Sequence, residues 1–253
     1  MKQTLLLANR AVKEISRRRL FAPLCLVLPC AVMILFRLLA HYFKAFSSLS
    51  LPSLLAGTTV LAYALLAVYF AALTAKDRTS LYHLSLRLCP VQPRSLFFAY
   101  TCAGFWLGVV QSFICYCAAR FLSVFAHVAL PFSSFVALCF AQIPALLFFV
   151  SLGVLLGCVG TGRFATAAGG LLALFSFAFC GSFFSLASFG GFGRLCAWLV
   201  PSFTARVSLA QFAESSLSVD LRLPLLCNCA YALGMTVLAF AVLRKRYKFQ
   251  GEL

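Results

Sequence analysis

Six long apolar runs constrain the fold of this 253-residue chain more than any other feature. They cover residues 20–40, 52–75, 96–119, 132–159, 164–188 and 224–243. A helix needs about 20 mainly apolar residues to cross the roughly 30 Å hydrocarbon core of a bilayer. With 63% hydrophobic and only 10% charged residues, the chain has too much apolar surface for one water-soluble core. We therefore predict an all-α polytopic membrane protein with six transmembrane helices, in a single domain over 1–253.

The distribution of Lys and Arg predicts the orientation of these spans. If the N-terminus is cytoplasmic, 15 of the 21 basic residues lie in cytoplasmic segments. The positive-inside rule then places both termini in the cytoplasm, and we expect the protein in the plasma membrane. The net charge of +16 follows mostly from this topology, with attraction to anionic lipid headgroups as a second effect. It therefore does not indicate a nucleic-acid partner.

The first nineteen residues predict an amphipathic helix at the membrane interface. Leu5, Ala8, Val12 and Ile15 recur at spacings of three and four, while basic residues occupy the other faces. A basic leader that only fixes the orientation is the alternative that this pattern leaves open.

The segment 76–95, KDRTSLYHLSLRLCPVQPRS, is a basic loop between two apolar runs. Its pattern predicts a short helix over 79–88 that ends at Pro90. Tyr82 and Leu86 interrupt the polar face of that helix, where a solvated loop would not place apolar side chains. We therefore expect a soluble partner to cover them.

Glycines recur at helix-packing intervals in the third and fourth spans. Small residues four apart allow helix backbones to approach closely. We interpret this pattern as packing within the bundle and do not assign it a specific role in dimerisation. The glycines concerned are Gly104, Gly108, Gly153, Gly157 and Gly160.

The apolar run that begins at residue 164 is too long for one span, because no charged residue follows until Arg194. Glycines at 181, 190, 191 and 193 interrupt it. The pattern predicts a fifth transmembrane helix followed by a re-entrant segment, and an external region over 189–223 that is partly helical at the membrane surface.

Several kinds of chemistry have no support in the sequence. The five acidic residues all lie outside the predicted spans, which argues against a proton- or sodium-coupled carrier. No GxxxxGK[ST] loop is present to bind nucleotide phosphates. His41, His83 and His127 are scattered, and most of the 12 cysteines lie within spans as packing residues. We expect no catalytic, cofactor-binding or metal-binding residues, and hence no enzyme.

These features together resemble the membrane subunit of a type-2 ABC exporter over nearly the full length. In that family an interfacial helix precedes six spans, and the second-to-third loop combines a charged start, a Leu-rich short helix and Pro-Val near a basic residue. The corresponding residues here are Lys76-Asp77-Arg78-Thr79, Leu81, Leu84, Leu86, Leu88, Cys89-Pro90-Val91 and Arg94. Re-entrant helices after the fifth span resemble 181–193 and Trp198-Leu199-Val200-Pro201. Asp77 and Ser80 depart from the Glu and Gly that are frequent in the family.

The resemblance implies that the chain forms a translocation pathway with a second, identical or different, permease copy. A separate P-loop ATPase would bind ATP and Mg and drive transport through a coupling helix over 79–88. The implied ATPase contacts are Arg78, Thr79, Tyr82, His83, Leu84, Leu86 and Arg87.

The composition predicts the kind of cargo, and the sequence leaves two other classes of function open. The 28 Phe residues favour a hydrophobic or amphipathic cargo such as a lipid-like molecule, a peptide or a drug. One alternative is a secondary carrier or facilitator that needs no ATPase. The other is a membrane scaffold subunit that does not transport.

Overall fold

The computed structural model of the protein describes residues 2–19, 22–42, 50–80, 92–126, 132–180, 200–213 and 222–248. Within these ranges the regular structure is entirely helical. A π-helix over Ala22–Val27 leads directly into the second α-helix. The α-helices are α1 (Lys2–Ser16), α2 (Leu28–Tyr42), α3 (Leu51–Thr79), α4 (Pro93–Ala126), α5 (Phe132–Val159), α6 (Gly162–Phe179), α7 (Pro201–Ala213) and α8 (Arg222–Lys248).

Within the described residues, six helical segments are long and apolar enough to cross a membrane, which confirms the predicted all-α fold with six helices of spanning length. They are Pro23–Ala40, Leu51–Thr79, Pro93–Val124, Leu138–Val159, Gly162–Phe179 and Leu223–Arg246.

Helix α3 is the central element of the bundle. It contacts α1, α2, α4, α5, α6 and α7, and nearly all of its side chains are buried. A membrane-spanning helix that is apolar on every face can contact either lipid or other helices, and in α3 other helices cover nearly every face. Motion of either end of α3 would therefore displace most of the helices in the bundle.

Different interactions determine where α3 begins and where it ends. The Ser50 side chain caps the first turn by accepting a hydrogen bond from the amide of Ser53, and Pro52 occupies the first turn. At the other end the helix continues to Thr79, beyond the predicted span limit at residue 75. Asp77 is therefore a buried residue of α3 and does not begin a loop, which corrects the prediction that every acidic residue lies outside the spans.

One end of the bundle carries several clusters of basic residues, and we call it the basic end. It comprises α1, residues 76–80, the turn at 160–163 and residues 244–246. Arg10 of α1 contacts Asp77 there, and Arg78 contacts the carbonyl of Gly160. The ring of Phe240 in α8 packs edge-on against Phe97 near the start of α4, with 5.8 Å between the ring centroids. The C-terminal turns of α8 therefore lie at the same end.

Helix α7 occupies part of the region that was predicted as external, 189–223. It packs against α3, α5 and α8, and Ser202, Thr204 and Ala205 are buried. Arg206 donates a hydrogen bond to the hydroxyl of Ser53 at the start of α3, away from the basic end. The predicted re-entrant segment lies outside the described residues and stays a prediction.

Candidate functional site

Asp77 joins three helices at the basic end. Its carboxylate accepts hydrogen bonds from Arg10 Nη2 at 2.8 Å and from Arg10 Nη1 at 3.3 Å. Tyr100 Oη of α4 donates to the same carboxylate at 2.7 Å. The Asp77 side chain is only 2% exposed, so its charge needs these partners to be tolerated in an apolar surrounding. The contact therefore fixes α1 and α4 to the last turn of α3.

Lys76 adds a second link between α3 and α1. Its ammonium group forms an ion pair with Glu14, one helical turn beyond Arg10. Donation by Lys76 holds the pKa of the Glu14 carboxyl below its usual value, with smaller electrostatic effects from Arg10 and Arg18. Both side chains are partly solvated, so the pair adds orientation more than stability.

Arg78 extends this set of contacts to α5 and α6. Its guanidinium donates to the carbonyl of Cys158 and, at 2.6 Å, to the carbonyl of Gly160. These carbonyls lie at the end of α5, where the helix leaves its last acceptors without intrahelical partners. Arg78 therefore ties the end of α3 to the turn that leads into α6.

The three contacts follow from helix geometry. Successive residues of an α-helix point about 100° apart, so Lys76, Asp77 and Arg78 face three directions. Each direction holds a different neighbour: the Glu14 side chain, the Arg10–Tyr100 pair and the turn after α5. The last turn of α3 is thus an anchor for most of the basic end.

Two of the predicted ATPase contacts lie in this anchor. Arg78 binds the α5–α6 turn, and Thr79 is exposed and donates its hydroxyl to the carbonyl of Ala75 at 3.1 Å. Thr79 belongs to α3, which corrects the prediction that a separate short helix begins there. The other predicted contacts lie outside the described residues and stay predictions: Tyr82, His83, Leu84, Leu86 and Arg87.

The glycines chosen from the sequence all face neighbouring elements of the same chain. A Cβ added at Gly104 or Gly108 would overlap the side chain of Val150 or Leu146 in α5. At Gly153 and Gly157 it would meet the backbone carbonyls of Ala67 and Ala71 in α3. At Gly160 it would meet the ring of Phe164. These positions pack the bundle by letting α4 and α3 approach α5.

A buried polar cluster between α3, α4 and α5 was not found from the sequence. Tyr63 Oη lies 2.6 Å from Ser112 Oγ, and Ser112 donates to Gln142 Oε1 at 2.5 Å. Tyr63 also donates to Gln142 Oε1. Hydrogen bonds across apolar helices favour one arrangement of the helices. The only sequence signal was one amide and two hydroxyl residues within long apolar runs.

The described residues contain no group of three His, Cys, Asp or Glu side chains that could hold a metal ion. The cysteines within this part of the chain are free thiols. The chain matches no protein-family model and no curated protein.

Proposed function

We propose that this chain is the transmembrane subunit of an ABC exporter. A second permease copy completes the translocation pathway, and a separate P-loop ATPase supplies the energy by binding ATP and Mg. The coupling segment is the loop that follows α3, including Tyr82, His83, Leu84, Leu86 and Arg87. The resemblance to type-2 exporters motivates this assignment.

The anchored last turn of α3 is the observation that carries the proposal. Lys76, Asp77 and Arg78 fix this turn to α1, α4 and the α5–α6 turn immediately before the loop. A partner that moves the loop would therefore move α3 together with these elements, without first breaking the helix. Rigid displacement of packed helices is a common way to switch a membrane bundle between two states.

Helix α1 suits the proposed position at the membrane interface. Ala8, Ala11 and Ile15 are buried against the bundle, whereas the side chains of Leu5 and Leu6 are 74% and 69% exposed. Apolar side chains that protrude beside basic residues are typical of a helix that lies in the headgroup region. With positive-inside topology, α1 and the loop after α3 would both face the cytoplasm at the plasma membrane.

A carrier driven by ions has less support than an ATPase-driven exporter. Asp77 and Glu14 are the carboxylates within the described residues, and both are paired with cations. Asp77 lies in the final turn of α3, away from the middle of the span. Ion-coupled carriers usually hold their titratable group near the bilayer midplane.

The test is co-purification with an ATPase encoded beside this chain. In the co-expressed pair, we expect Leu84→Asp and Arg87→Glu each to lower the recovered ATPase, and its stimulated hydrolysis, by ten-fold or more, since charge reversal or burial of a carboxylate at an interface costs several kcal/mol. Arg163→Glu is the matched control, because Arg163 is exposed on another turn of the basic end. Unchanged co-purification in both loop variants would contradict the coupling role.

A further inference from the structure

A large groove opens beside α3 at the basic end. Its volume is about 1050 Å³, at the upper limit of the roughly 300–1,000 Å³ that is typical of small-molecule sites. The groove is bounded by the end of α1, the π-helix and start of α2, one face of α3, and α6. Leu24 and Leu28 on one wall remain more than a third exposed, and Leu174 on the other wall is 67% exposed. The groove is therefore open along its side.

The polar lining of the groove is concentrated at one end. Arg17, Arg18, Arg19 and Lys76 contribute four positive charges there, against the single negative charge of Glu14. Glu14 is paired with Lys76, and Asp77, the other carboxylate in the described ranges, is paired with Arg10. Within the described residues no carboxylate forms an ion pair with Arg17–Arg19, although Arg18 is near enough to Glu14 to lower its pKa. The chemistry of this cluster suits an anionic group such as a phosphate.

The rest of the groove is mainly apolar and runs away from this cluster. Along α3 it is lined by Leu61, Leu65, Val68, Tyr69 and Ala72, which form one helical face. At a rise of 1.5 Å per residue, the distance from Leu61 to Lys76 is roughly 22 Å. This length exceeds the roughly 15 Å depth of one bilayer leaflet, half of the hydrocarbon thickness. An acyl chain can therefore lie along α3 from the basic cluster inward.

Gly170 provides room for such a chain on the opposite wall. A Cβ added to Gly170 would have no atom within 4 Å, unlike the glycines that pack α5. Ala173 and Leu174 continue the same apolar face of α6. The missing side chain therefore widens the groove beside α3 without serving a helix contact.

We propose that this groove binds an anionic phospholipid from the leaflet at the basic end. The guanidinium groups of Arg17, Arg18 and Arg19 hold the lipid phosphate, and one acyl chain lies between α3 and α6. A soluble anion would use only the basic cluster, whereas the apolar length and the open side fit a molecule that enters from the bilayer. The site does not depend on the proposed transport function, because it needs neither the ATPase nor a second permease copy.

The test is native mass spectrometry of the full chain in mixed micelles with equal amounts of phosphatidylglycerol and phosphatidylcholine. We expect the wild-type protein to retain phosphatidylglycerol preferentially. The variant Arg17→Gln/Arg18→Gln/Arg19→Gln should lose about ten-fold or more of this preference, because each basic side chain near the headgroups contributes to anionic-lipid binding. The control Arg244→Gln/Lys245→Gln/Arg246→Gln removes the same charge from the basic end, outside the groove, and should keep the preference.

A second pair of variants tests the acyl chain. Gly170→Phe fills the groove and should reduce the retained phosphatidylglycerol several-fold. Gly234→Phe places the same ring on α8, where a Cβ also meets no atom within 4 Å. This variant should leave the amount of retained phosphatidylglycerol unchanged. If the triple-Arg variant does not accumulate as a monodisperse protein, the comparison of Gly170→Phe with Gly234→Phe alone tests the proposed lipid site. The proposal is overturned if Gly170→Phe binds as wild type, if both triple variants lose the preference equally, or if free glycerol phosphate competes as well as phosphatidylglycerol.

Discussion

At the scale of single residues, the environment of Asp77 explains how a carboxylate is tolerated in an apolar bundle. Arg10 neutralises its charge with two hydrogen bonds, and Tyr100 satisfies a further acceptor site. The side chain of Arg10 is 33% exposed, so its own desolvation is limited. Burial of the carboxylate therefore depends mainly on a cation that itself stays partly in water.

Removal of Arg10 should be more harmful than neutralisation of Asp77. Arg10→Met leaves a buried, unpaired carboxylate, and we expect it to lower the free energy of unfolding by about 2–4 kcal/mol. Asp77→Asn removes the charge and keeps an acceptor for Tyr100, so it should cost about 1 kcal/mol. The melting temperature of the purified protein in detergent measures both effects.

Lys13→Met is the matched control for Arg10→Met, because Lys13 is an exposed cation of the same helix. We expect no measurable change in its melting temperature. The double variant Arg10→Met/Asp77→Asn should recover part of the loss, since no buried charge remains. A melting temperature for Arg10→Met equal to that of Lys13→Met would show that Asp77 does not need its partner.

The role of Asp77 could not be predicted from the sequence. Its partner Arg10 lies 67 residues away, and nothing local to either residue indicates the contact. A charged triplet after an apolar run normally indicates the end of a span. Here tertiary partners allow the helix to continue through Lys76, Asp77 and Arg78.

At the scale of helices, the approach of α5 to α3 depends on Gly153 and Gly157. A Cβ at Gly157 would lie 2.6 Å from the carbonyl oxygen of Ala71 and 2.6 Å from the Cβ of Thr74. Both atoms belong to a helix that is packed on all sides, so neither can move away independently. At Gly108 the overlap involves the side chain of Leu146 and no backbone atom, so a shift of that side chain can relieve it.

Gly157→Ala should therefore destabilise the bundle more than Gly108→Ala. We expect a loss of about 1–3 kcal/mol for Gly157→Ala, and a melting temperature lower by roughly 3–8 °C. Gly234→Ala is the control, because its Cβ enters open space and alanine favours a helix over glycine. Thermal unfolding in one detergent compares all three. Equal melting temperatures for Gly157→Ala and Gly234→Ala would contradict the close approach.

The sequence predicted the presence of the helices more accurately than the residues at which they begin and end. Apolar run length is a local property, so the runs predicted all six spanning helices. Helix ends depend on caps and on neighbours, as Ser50 and Arg78 illustrate at the two ends of α3. The buried packing of α7 was not predicted either, because Arg206 and the hydroxyl residues of its segment fit a helix at the membrane surface equally well.

At the scale of the whole molecule, the alternation of spans fixes where the connections lie. Contacts at the basic end join α1, the end of α3, the start of α4, the α5–α6 turn and the end of α8. Contacts at the opposite end join α7 to the start of α3. Six crossings return the chain to the side on which it began. If all six helices cross the membrane, the two termini and the connection between α3 and α4 lie on one side of it.

This arrangement predicts the accessibility of epitopes in sealed vesicles. A tag at the N-terminus and a tag at the C-terminus should be digested by added protease in inside-out vesicles and protected in right-side-out vesicles, because the positive-inside rule predicts that the basic end faces the cytoplasm. An epitope inserted between α2 and α3 should show the reverse pattern and serves as the internal control. Exposure of the two termini on opposite sides would exclude six crossings. Protection of both termini in inside-out vesicles would keep six crossings but reverse the orientation, and would remove the loop after α3 from the reach of a cytoplasmic ATPase.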